Sequence, residues 1–354
     1  MTNLDDSTTF EKLDEGNMRG QLHGLPEQCQ TAWQKALSFK LPEHFNAVDK
    51  VIILGMGGSA IGGDLVRSLT FFMQKPVIFV NREYDLPAFT DENTLVIASS
   101  YSGNTEETLS AFRQSLQTSS KKIAITTGGK LKEISEAAGI PVFIVDHVSA
   151  PRAALGYSFI PLIALLRNLG FLEGIQIDVP TMIQSLKNLL EHFKETCDCN
   201  ANPAKQLAIK LNGKVSVIYG AGILGEVARR WKTQINENSK AWAFYELFPE
   251  LNHNATVGYQ FPSALAQQIF VIFLHCPLLH PRTQIRFKIT GELLAQNGIG
   301  YENVNSQGGD ALSQMMSLIY LGDWVSFYLA MLYQIDPTPV KTIDFLKKQL
   351  NEMK

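Results

Sequence analysis

Hydroxyl side chains crowd one short loop of this 354-residue chain. Ser99, Ser100, Ser102 and Thr105 surround Gly103, directly before residues with a helical pattern. Hydroxyls, together with the free N–H groups at a helix N-terminus, form a pocket for a dianionic phosphate without lysine or metal. An ordinary helix N-cap needs only one such side chain, so the cluster indicates a phosphorylated ligand.

Two glycine-rich turns each follow an apolar, strand-like run. They are Gly55-Met-Gly57-Gly58-Ser59-Ala60 and Gly220-Ala-Gly222-Ile-Leu-Gly225, which match two forms of the dinucleotide fingerprint. Such turns suit any phosphorylated ligand, because the next helix presents free N–H groups. A nicotinamide site also needs an acid after the following strand, where Asn81-Arg82-Glu83 is ambiguous and Tyr245-Glu246 is conceivable. The second turn could equally serve strand-to-helix packing alone.

Alternating strands and helices must position these turns. Strand-like runs occur at 76–80, 94–99, 121–126, 141–145, 241–246, 269–275 and 299–304. This alternation predicts parallel sheets covered by helices, and the repeated pattern suggests a duplication. We therefore predict an α/β protein with two tandem flavodoxin-like or Rossmann-like domains. The predicted segments are a helical segment over 1–45, a first domain over 46–173, a helical connector over 174–212, and a second domain over 213–354 with a C-terminal helix.

The composition favours a small-molecule partner. The chain is 45% hydrophobic and 18% charged, as expected of globular domains, and its net charge of -3 makes nucleic-acid binding unexpected. The acidic N-terminus has no apolar signal region, so we expect a cytoplasmic protein. We expect reduced thiols at Cys29, Cys197, Cys199 and Cys276, because Cys197-x-Cys199 lacks the spacing of a zinc site.

A long apolar stretch from Leu312 to Ile335 raises the question of a membrane span. Asp323 lies near its middle, beside Gly322. A central Asp costs about 2.5 to 3.5 kcal/mol in a membrane-spanning helix. We therefore expect no membrane partner and a buried helix, either in the core or at a subunit interface.

Several motifs together resemble the SIS (sugar isomerase) domains of the bifunctional phosphoglucose/phosphomannose isomerase family. They are Gly55-MGGSAIGGDL, Ser100-YSGNTEET, Ser149-APRAALGYSF, Asn236-ENSK with Pro249-ELNHN, and Pro337-TPVKTIDFLK, and they span most of residues 50–350. The resemblance implies two tandem SIS domains that interconvert glucose 6-phosphate and fructose 6-phosphate. It also implies a homodimer with a shared active site. We also expect a weaker activity on mannose 6-phosphate, from a departure described below.

The resemblance also implies roles for single residues. Those that would hold the phosphate are Gly58, Ser59, Ser100, Ser102 and Thr105. Arg152 would lie near the reacting carbons of the sugar. The residues that would handle protons are Glu237, His253 and Lys341.

Aldose–ketose isomerisation needs residues of these types. A carboxylate such as Glu237 can move the proton between two carbons through a cis-enediolate, and a histidine near pKa 6.5 suits ring opening. A fixed cation such as Arg152 can stabilise the enediolate charge. By pattern alone, Glu237 could instead belong to a surface ion pair, and His253 and Lys341 could be ordinary exposed residues.

Two other functions stay open. A non-catalytic phosphosugar sensor would keep the hydroxyl loop but would normally lack the dispersed Glu, His, Lys and Arg set. An NAD-dependent oxidoreductase would use the glycine turns and leave the hydroxyl loop unexplained. We expect neither a cofactor nor a metal, since the sequence has no H-E-x-x-H motif, cupin-like histidine cluster or paired Cys-x-x-Cys.

One position departs from the family pattern. Seven residues before Lys341 the family typically has threonine, whereas this chain has Gln334. A larger amide would confine the enediolate, so we expect slower turnover of mannose 6-phosphate than of glucose 6-phosphate. Alternatively, Gln334 simply ends the buried helix.

Overall fold

A computed structural model describes residues 3–353, so residues 1, 2 and 354 of the predicted terminal segments lie outside it. The helices are α1 (Ser7–Leu13), α2 (Met18–His23), α3 (Leu25–Leu37), α4 (Gly57–Leu69), α5 (Glu106–Ser115), α6 (Gly129–Ala137), α7 (Leu155–Asn168), α8 (Val179–Phe193), α9 (Pro203–Leu211), α10 (Gly225–Asn238), α11 (Pro281–Gln296), α12 (Ala311–Leu332) and α13 (Lys341–Glu352). The strands are β1 (Lys50–Leu54), β2 (Val77–Asn81), β3 (Thr94–Ser99), β4 (Lys121–Thr126), β5 (Val142–Ile144), β6 (Val215–Ala221), β7 (Ala243–Phe248), β8 (Ile269–His275) and β9 (Gly300–Asn305).

The first sheet contains five parallel strands in the order β2-β1-β3-β4-β5. Its central strands are apolar because helices cover both faces, and β3 is buried along its whole length. The chain leaves β1 towards β2 on one side, and β3 pairs with β1 on the other, with Leu54 opposite Ala98. This switch point brings together the carboxyl ends of β1 and β3, where ligands bind in open α/β sheets.

The second sheet contains four parallel strands in the order β7-β6-β8-β9. Its switch point lies between β6 and β8, which pair with Tyr219 opposite Phe273. The predicted α/β class with two parallel sheets is therefore confirmed, and each strand-like run named above forms a strand in one of them.

The described residues pack into two compact units. The first-sheet unit contains residues 24–187 and 307–316, and the second-sheet unit contains the residues up to 23, 188–306 and those from 317 on. Each unit thus combines segments that are distant in sequence. The predicted domain limits divide the chain into consecutive segments, whereas these units group residues that pack together. The predicted limits therefore stay a prediction.

Lys205 anchors the leading segment in the second-sheet unit. Its ammonium is fully buried and donates to Asp5 Oδ1 at 2.9 Å and to two backbone carbonyls. The rings of Phe10 and Tyr328 lie 5.9 and 5.7 Å from it. A buried charge is tolerated where it is paired and hydrogen-bonded, so these contacts fix the first turns of the chain.

Helix α12 belongs to the core. A window of this helix is apolar enough to cross a membrane, but all of that window is buried within the protein. The expected buried helix is therefore confirmed. The alternative that it forms a subunit interface is wrong, because the chain's own residues cover it.

Asp323 is the charged residue within this apolar helix, and it has partners on α10. Its carboxylate accepts hydrogen bonds from Arg230 at 2.7 Å and from Gln234 at 3.0 Å. Asp323 and Arg230 are only 3% and 2% exposed. Burial raises the pKa of Asp323 although Arg230 favours its charged form. The charged group that made a membrane span unexpected thus joins two helices of the core.

Candidate active site

The hydroxyl loop connects β3 to α5. Ser100 is fully buried, and its Oγ lies 2.8 Å from Thr105 Oγ1. Thr105 occupies the N-cap position of α5, yet its side chain makes no capping hydrogen bond. Ser102 is exposed, and its Oγ accepts a hydrogen bond from the Asn104 N–H at 3.2 Å. Because the two central hydroxyls pair with each other instead of capping the helix, the loop favours the ligand interpretation over the simple cap.

The first glycine turn packs directly on this loop. Ser59 Oγ accepts a hydrogen bond from the Tyr101 N–H at 3.1 Å. A Cβ atom at Gly58 would lie 2.8 Å from the Pro151 carbonyl oxygen and 3.0 Å from the Arg152 nitrogen. Only glycine allows so close an approach. The turn, the hydroxyl loop and the segment of Arg152 therefore meet within the first-sheet unit.

Arg152 lies in a short 3-10 turn, Pro151–Ala153, and is 4% exposed. Tyr101 holds the preceding segment in place, because its hydroxyl donates to the His147 carbonyl at 2.6 Å and accepts from the Ser149 N–H at 3.1 Å. Sequence reasoning gave Tyr101 no role, although an aromatic ring in a hydroxyl-rich loop was a usable signal. The tyrosine links the hydroxyl loop to the segment that carries the buried cation.

This arrangement suits a phosphorylated ligand. Helices α4 and α5 begin after β1 and β3, at the carboxyl ends of neighbouring strands. Helix N-termini favour anions through their free N–H groups and their dipoles. The hydroxyls of Ser59, Ser100 and Thr105 add short-range donors, so the switch point can hold a phosphate without a metal.

The second glycine turn packs closely against a later segment of its own chain. A Cβ atom at Gly222 would lie 3.2 Å from Leu279 Cδ2, and Leu279 is only 5% exposed. The segment after β8 contains the buried thiol of Cys276 and the leucine, where the first sheet has its hydroxyl loop. The packing interpretation of Gly220–Gly225 is thus favoured.

The end of β2 carries a cation where a nicotinamide site needs an acid. Arg82 donates to both carboxylate oxygens of Asp64, which is fully buried on α4. The Asn81 side-chain amide donates to the backbone carbonyl of Glu83, and Glu83 itself is exposed. The first glycine turn therefore lacks the acidic surroundings that the NAD alternative requires.

The remaining predicted site residues lie in the second-sheet unit. Glu237 is half-buried in the last turn of α10, His253 is exposed at the end of the 3-10 turn Glu250–His253, and Lys341 is exposed as the first residue of α13. The structure thus gathers the phosphate-binding candidates around the Arg152 segment in one unit, and it places the proton-handling candidates in the other.

Gln334 ends α12 in a Schellman motif. Its φ is 57°, its N–H donates to the Met331 carbonyl at 3.0 Å, and the Ile335 N–H donates to the Ala330 carbonyl at 3.1 Å. The Gln334 side chain is exposed. Helix termination therefore accounts for its backbone, and its effect on sugar selectivity stays a prediction.

All four cysteines are free thiols. Cys29 is fully buried, and burial raises its pKa to about 12. A thiol with such a pKa stays protonated at neutral pH and is a poor nucleophile. Within residues 3–353, no three His, Cys, Asp or Glu side chains are grouped so as to hold a metal ion.

Comparisons with known proteins add sequence relatives and a structural neighbour. The model of the bacterial phospho-glucose isomerase C-terminal SIS domain matches residues 200–350. A bifunctional phosphoglucose/phosphomannose isomerase from Caldicellulosiruptor bescii is 46% identical over 94% of this chain and 98% of its own length. A bifunctional phosphoglucose/phosphomannose isomerase from Aquifex aeolicus is 34% identical over 85% of this chain and 90% of its own length. A hypothetical protein from Thermus thermophilus has the same fold, with a TM-score of 0.73 and 15% identity over 98% and 92% of the two chains.

Proposed function

Because this chain belongs to the bifunctional phosphoglucose/phosphomannose isomerase family, we propose that it interconverts glucose 6-phosphate and fructose 6-phosphate, with weaker activity on mannose 6-phosphate. It is therefore an intramolecular aldose–ketose isomerase with tandem SIS domains. The observation that carries the proposal is the buried Ser100–Thr105 hydroxyl pair, packed with Ser59 and Gly58 at the switch point of the first sheet. Such a site holds the phosphate, which keeps its place throughout the reaction.

Glu237 has the chemistry to move hydrogen between C2 and C1. It removes the C2 proton of the open-chain aldose, the electrons form a C1–C2 double bond, and O1 takes the negative charge. The O2 proton then moves to O1, Glu237 returns its proton to C1, and C2 becomes the ketone. Arg152 stabilises the enediolate charge, since a guanidinium stays cationic and its donors are fixed.

His253 and Lys341 serve ring opening. Opening the cyclic sugar transfers the proton of the O1 hydroxyl to the ring oxygen while the C1–O5 bond breaks. A histidine can take up and release that proton near neutral pH, and a lysine ammonium can donate to the ring oxygen. Both side chains are exposed.

The purified protein should convert fructose 6-phosphate to glucose 6-phosphate in EDTA, without added metal or nucleotide. The expectation follows from a mechanism in which carboxylate, imidazole, ammonium and guanidinium groups perform every step. A coupled assay of glucose 6-phosphate formation measures it. Activity lost in EDTA and regained with zinc would show that the reaction needs a metal.

The same assay, run from mannose 6-phosphate, measures selectivity. A tenfold lower kcat/KM for mannose 6-phosphate corresponds to about 1.4 kcal/mol between the two transition states. Equal values for both sugars would contradict the predicted preference.

A thermal-shift measurement with NAD tests the oxidoreductase alternative. If the protein bound NAD, the nucleotide would raise its melting temperature.

We further propose a cytoplasmic homodimer that works in glycolysis or gluconeogenesis, and in which His253 completes the site of the other subunit. Four free thiols fit a reducing compartment. Trp242, directly before edge strand β7, is 78% exposed, Phe244 on that strand is 50% exposed, and their rings lie 6.1 Å apart. The strand leads directly to the turn that carries His253. Exposed aromatic residues along a sheet edge support an interface at this place.

Mixed Glu237→Gln and His253→Ala chains should regain activity that neither chain has alone. In a shared site, a hybrid dimer contains one pocket with both wild-type side chains. Activity is measured after the two chains have exchanged subunits. A tag that changes the size of one chain allows the hybrid dimers to be detected. Exchange without any regained turnover would place His253 and Glu237 in a site built by one chain.

A further inference from the structure

Lys240 joins two segments that are distant in sequence. It follows α10 closely, and its ammonium donates to the Glu237 carbonyl and, at 2.8 Å, to the Pro337 carbonyl 97 residues away. The first carbonyl belongs to the residue that carries the proposed catalytic base. The second lies four residues before Lys341. One ammonium therefore connects two of the three places in the second-sheet unit that carry proton-handling candidates.

Helix capping explains only half of this arrangement. A lysine near a helix C-terminus commonly donates to a carbonyl of the last turn, as Lys240 does to Glu237. The bond to Pro337 has no part in that cap. Lys240 also has a φ of 52°, a conformation that favours glycine and costs other residues roughly 1 kcal/mol. A glycine would end the helix without this cost, but it would lose the ammonium.

The end of α10 is also held without the lysine. The Asn238 side-chain amide donates to Ser326 Oγ at 2.9 Å, and Ser239 Oγ donates to the Ser326 carbonyl at 2.7 Å. All three residues are at most 1% exposed. These buried bonds fix the helix to α12, so the distinct contribution of Lys240 is to fix the segment around Pro337 against the turn of Glu237.

We propose that Lys240 is a positioning residue that keeps the Glu237 carboxylate and the Lys341 ammonium in a fixed relation. The inference rests on the proposed function, in which one residue takes the C2 proton and the other assists ring opening. Both must meet the same sugar, and a displacement of about 1 Å can cost on the order of a hundredfold in rate. In this role Lys240 acts through the two backbone segments whose carbonyls it binds.

Lys240→Met should lower kcat by about tenfold and leave KM within about twofold, because phosphate binding is unchanged while the reacting groups lose alignment. Lys240→Arg should recover most of the loss, since a guanidinium can also donate to two carbonyls. Lys232→Met is the matched control, because Lys232 lies on the same helix and should keep wild-type kinetics.

Hydrogen exchange provides a readout independent of activity. Backbone amides in the peptide around 336–343 should exchange faster in Lys240→Met than in Lys232→Met, while the thermal midpoint moves little. Unchanged kcat or unchanged exchange in Lys240→Met would overturn the positioning role and leave the isomerase function intact. A wild-type protein without isomerase activity would instead overturn the proposed function, and the positioning role with it.

Discussion

Replacing Glu237 with glutamine should lower kcat by roughly 10²- to 10⁴-fold, the usual contribution of a general base. Glutamine keeps the shape of the side chain but cannot accept the proton that moves between C2 and C1. KM should stay near the wild-type value, because the proposed phosphate contacts lie elsewhere in the chain. Steady-state kinetics with fructose 6-phosphate measure both constants, and incorporation of deuterium from D₂O into the sugar reports the proton transfer itself.

Thr105→Val is the matched comparison for this variant. It removes the hydroxyl that pairs with Ser100. In the proposed site this hydroxyl contributes to substrate binding in the ground state and the transition state alike. Such a change raises KM and leaves kcat largely intact. Near-normal turnover and deuterium incorporation in Glu237→Gln would assign the base to another residue.

Asp323→Ala should cost about 3 to 5 kcal/mol of unfolding free energy, the usual result of breaking a buried ion pair. The substitution removes the carboxylate to which Arg230, 2% exposed, donates, and it removes the acceptor of Gln234. Urea unfolding followed by tryptophan fluorescence suits the measurement, because Trp231 and Trp324 are buried on the same two helices.

Two further variants separate charge from packing. Tyr328→Phe on the same helix removes a neutral hydroxyl, which donates to the Phe193 carbonyl, and should cost only about 1 kcal/mol. The double variant Arg230→Met/Asp323→Leu should recover most of the stability lost in Asp323→Ala, since apolar replacement of a whole buried pair is often neutral. A loss below about 1 kcal/mol in Asp323→Ala would show that the pair is not desolvated as the structure indicates.

Local sequence patterns were sufficient to predict the strands and helices of the fold. Apolar runs such as Thr94–Ser99 are short, end at turn residues and alternate with helical stretches, so they are recognisable as strands of a covered parallel sheet. The hydroxyl loop was recognisable because its residue types exceed what a cap requires. Its position beside the first glycine turn follows from the strand order, which places the ends of β1 and β3 together.

Contacts between distant segments determine two features that the sequence could not predict, the role of the second glycine turn and the partner of Asp323. The second glycine turn matches the fingerprint as well as the first, and only the close packing of Leu279 on Gly222 favours a packing role for it. Asp323 was visible as an anomaly in an apolar helix, but its partner Arg230 is 93 residues away. No local pattern reports such a pairing.

Gln334 shows how one residue can have two explanations. The family pattern suggested a side chain that selects between sugars, whereas the structure places this backbone in a left-handed helix end. A β-branched threonine is strongly disfavoured at such a φ. Exchange of Gln334 for threonine would therefore disturb the end of α12 as well as any contact with sugar, and asparagine, which tolerates this conformation, is the cleaner substitution.

The interleaving of the two units has a consequence for biosynthesis. Residues up to 23 belong with segments that begin at 188, and the first-sheet unit takes in residues 307–316 near the end of the chain. A nascent chain leaving the ribosome can thus form the first parallel sheet early, but the α1 and α2 segment must wait for its partners. Phe10, 1% exposed in the finished protein, stays uncovered during that interval. Contacts between distant segments form slowly and leave apolar surface open to chaperones. Translation pauses or truncation before residue 205, which supplies the buried ammonium, would therefore prolong the aggregation-prone stage.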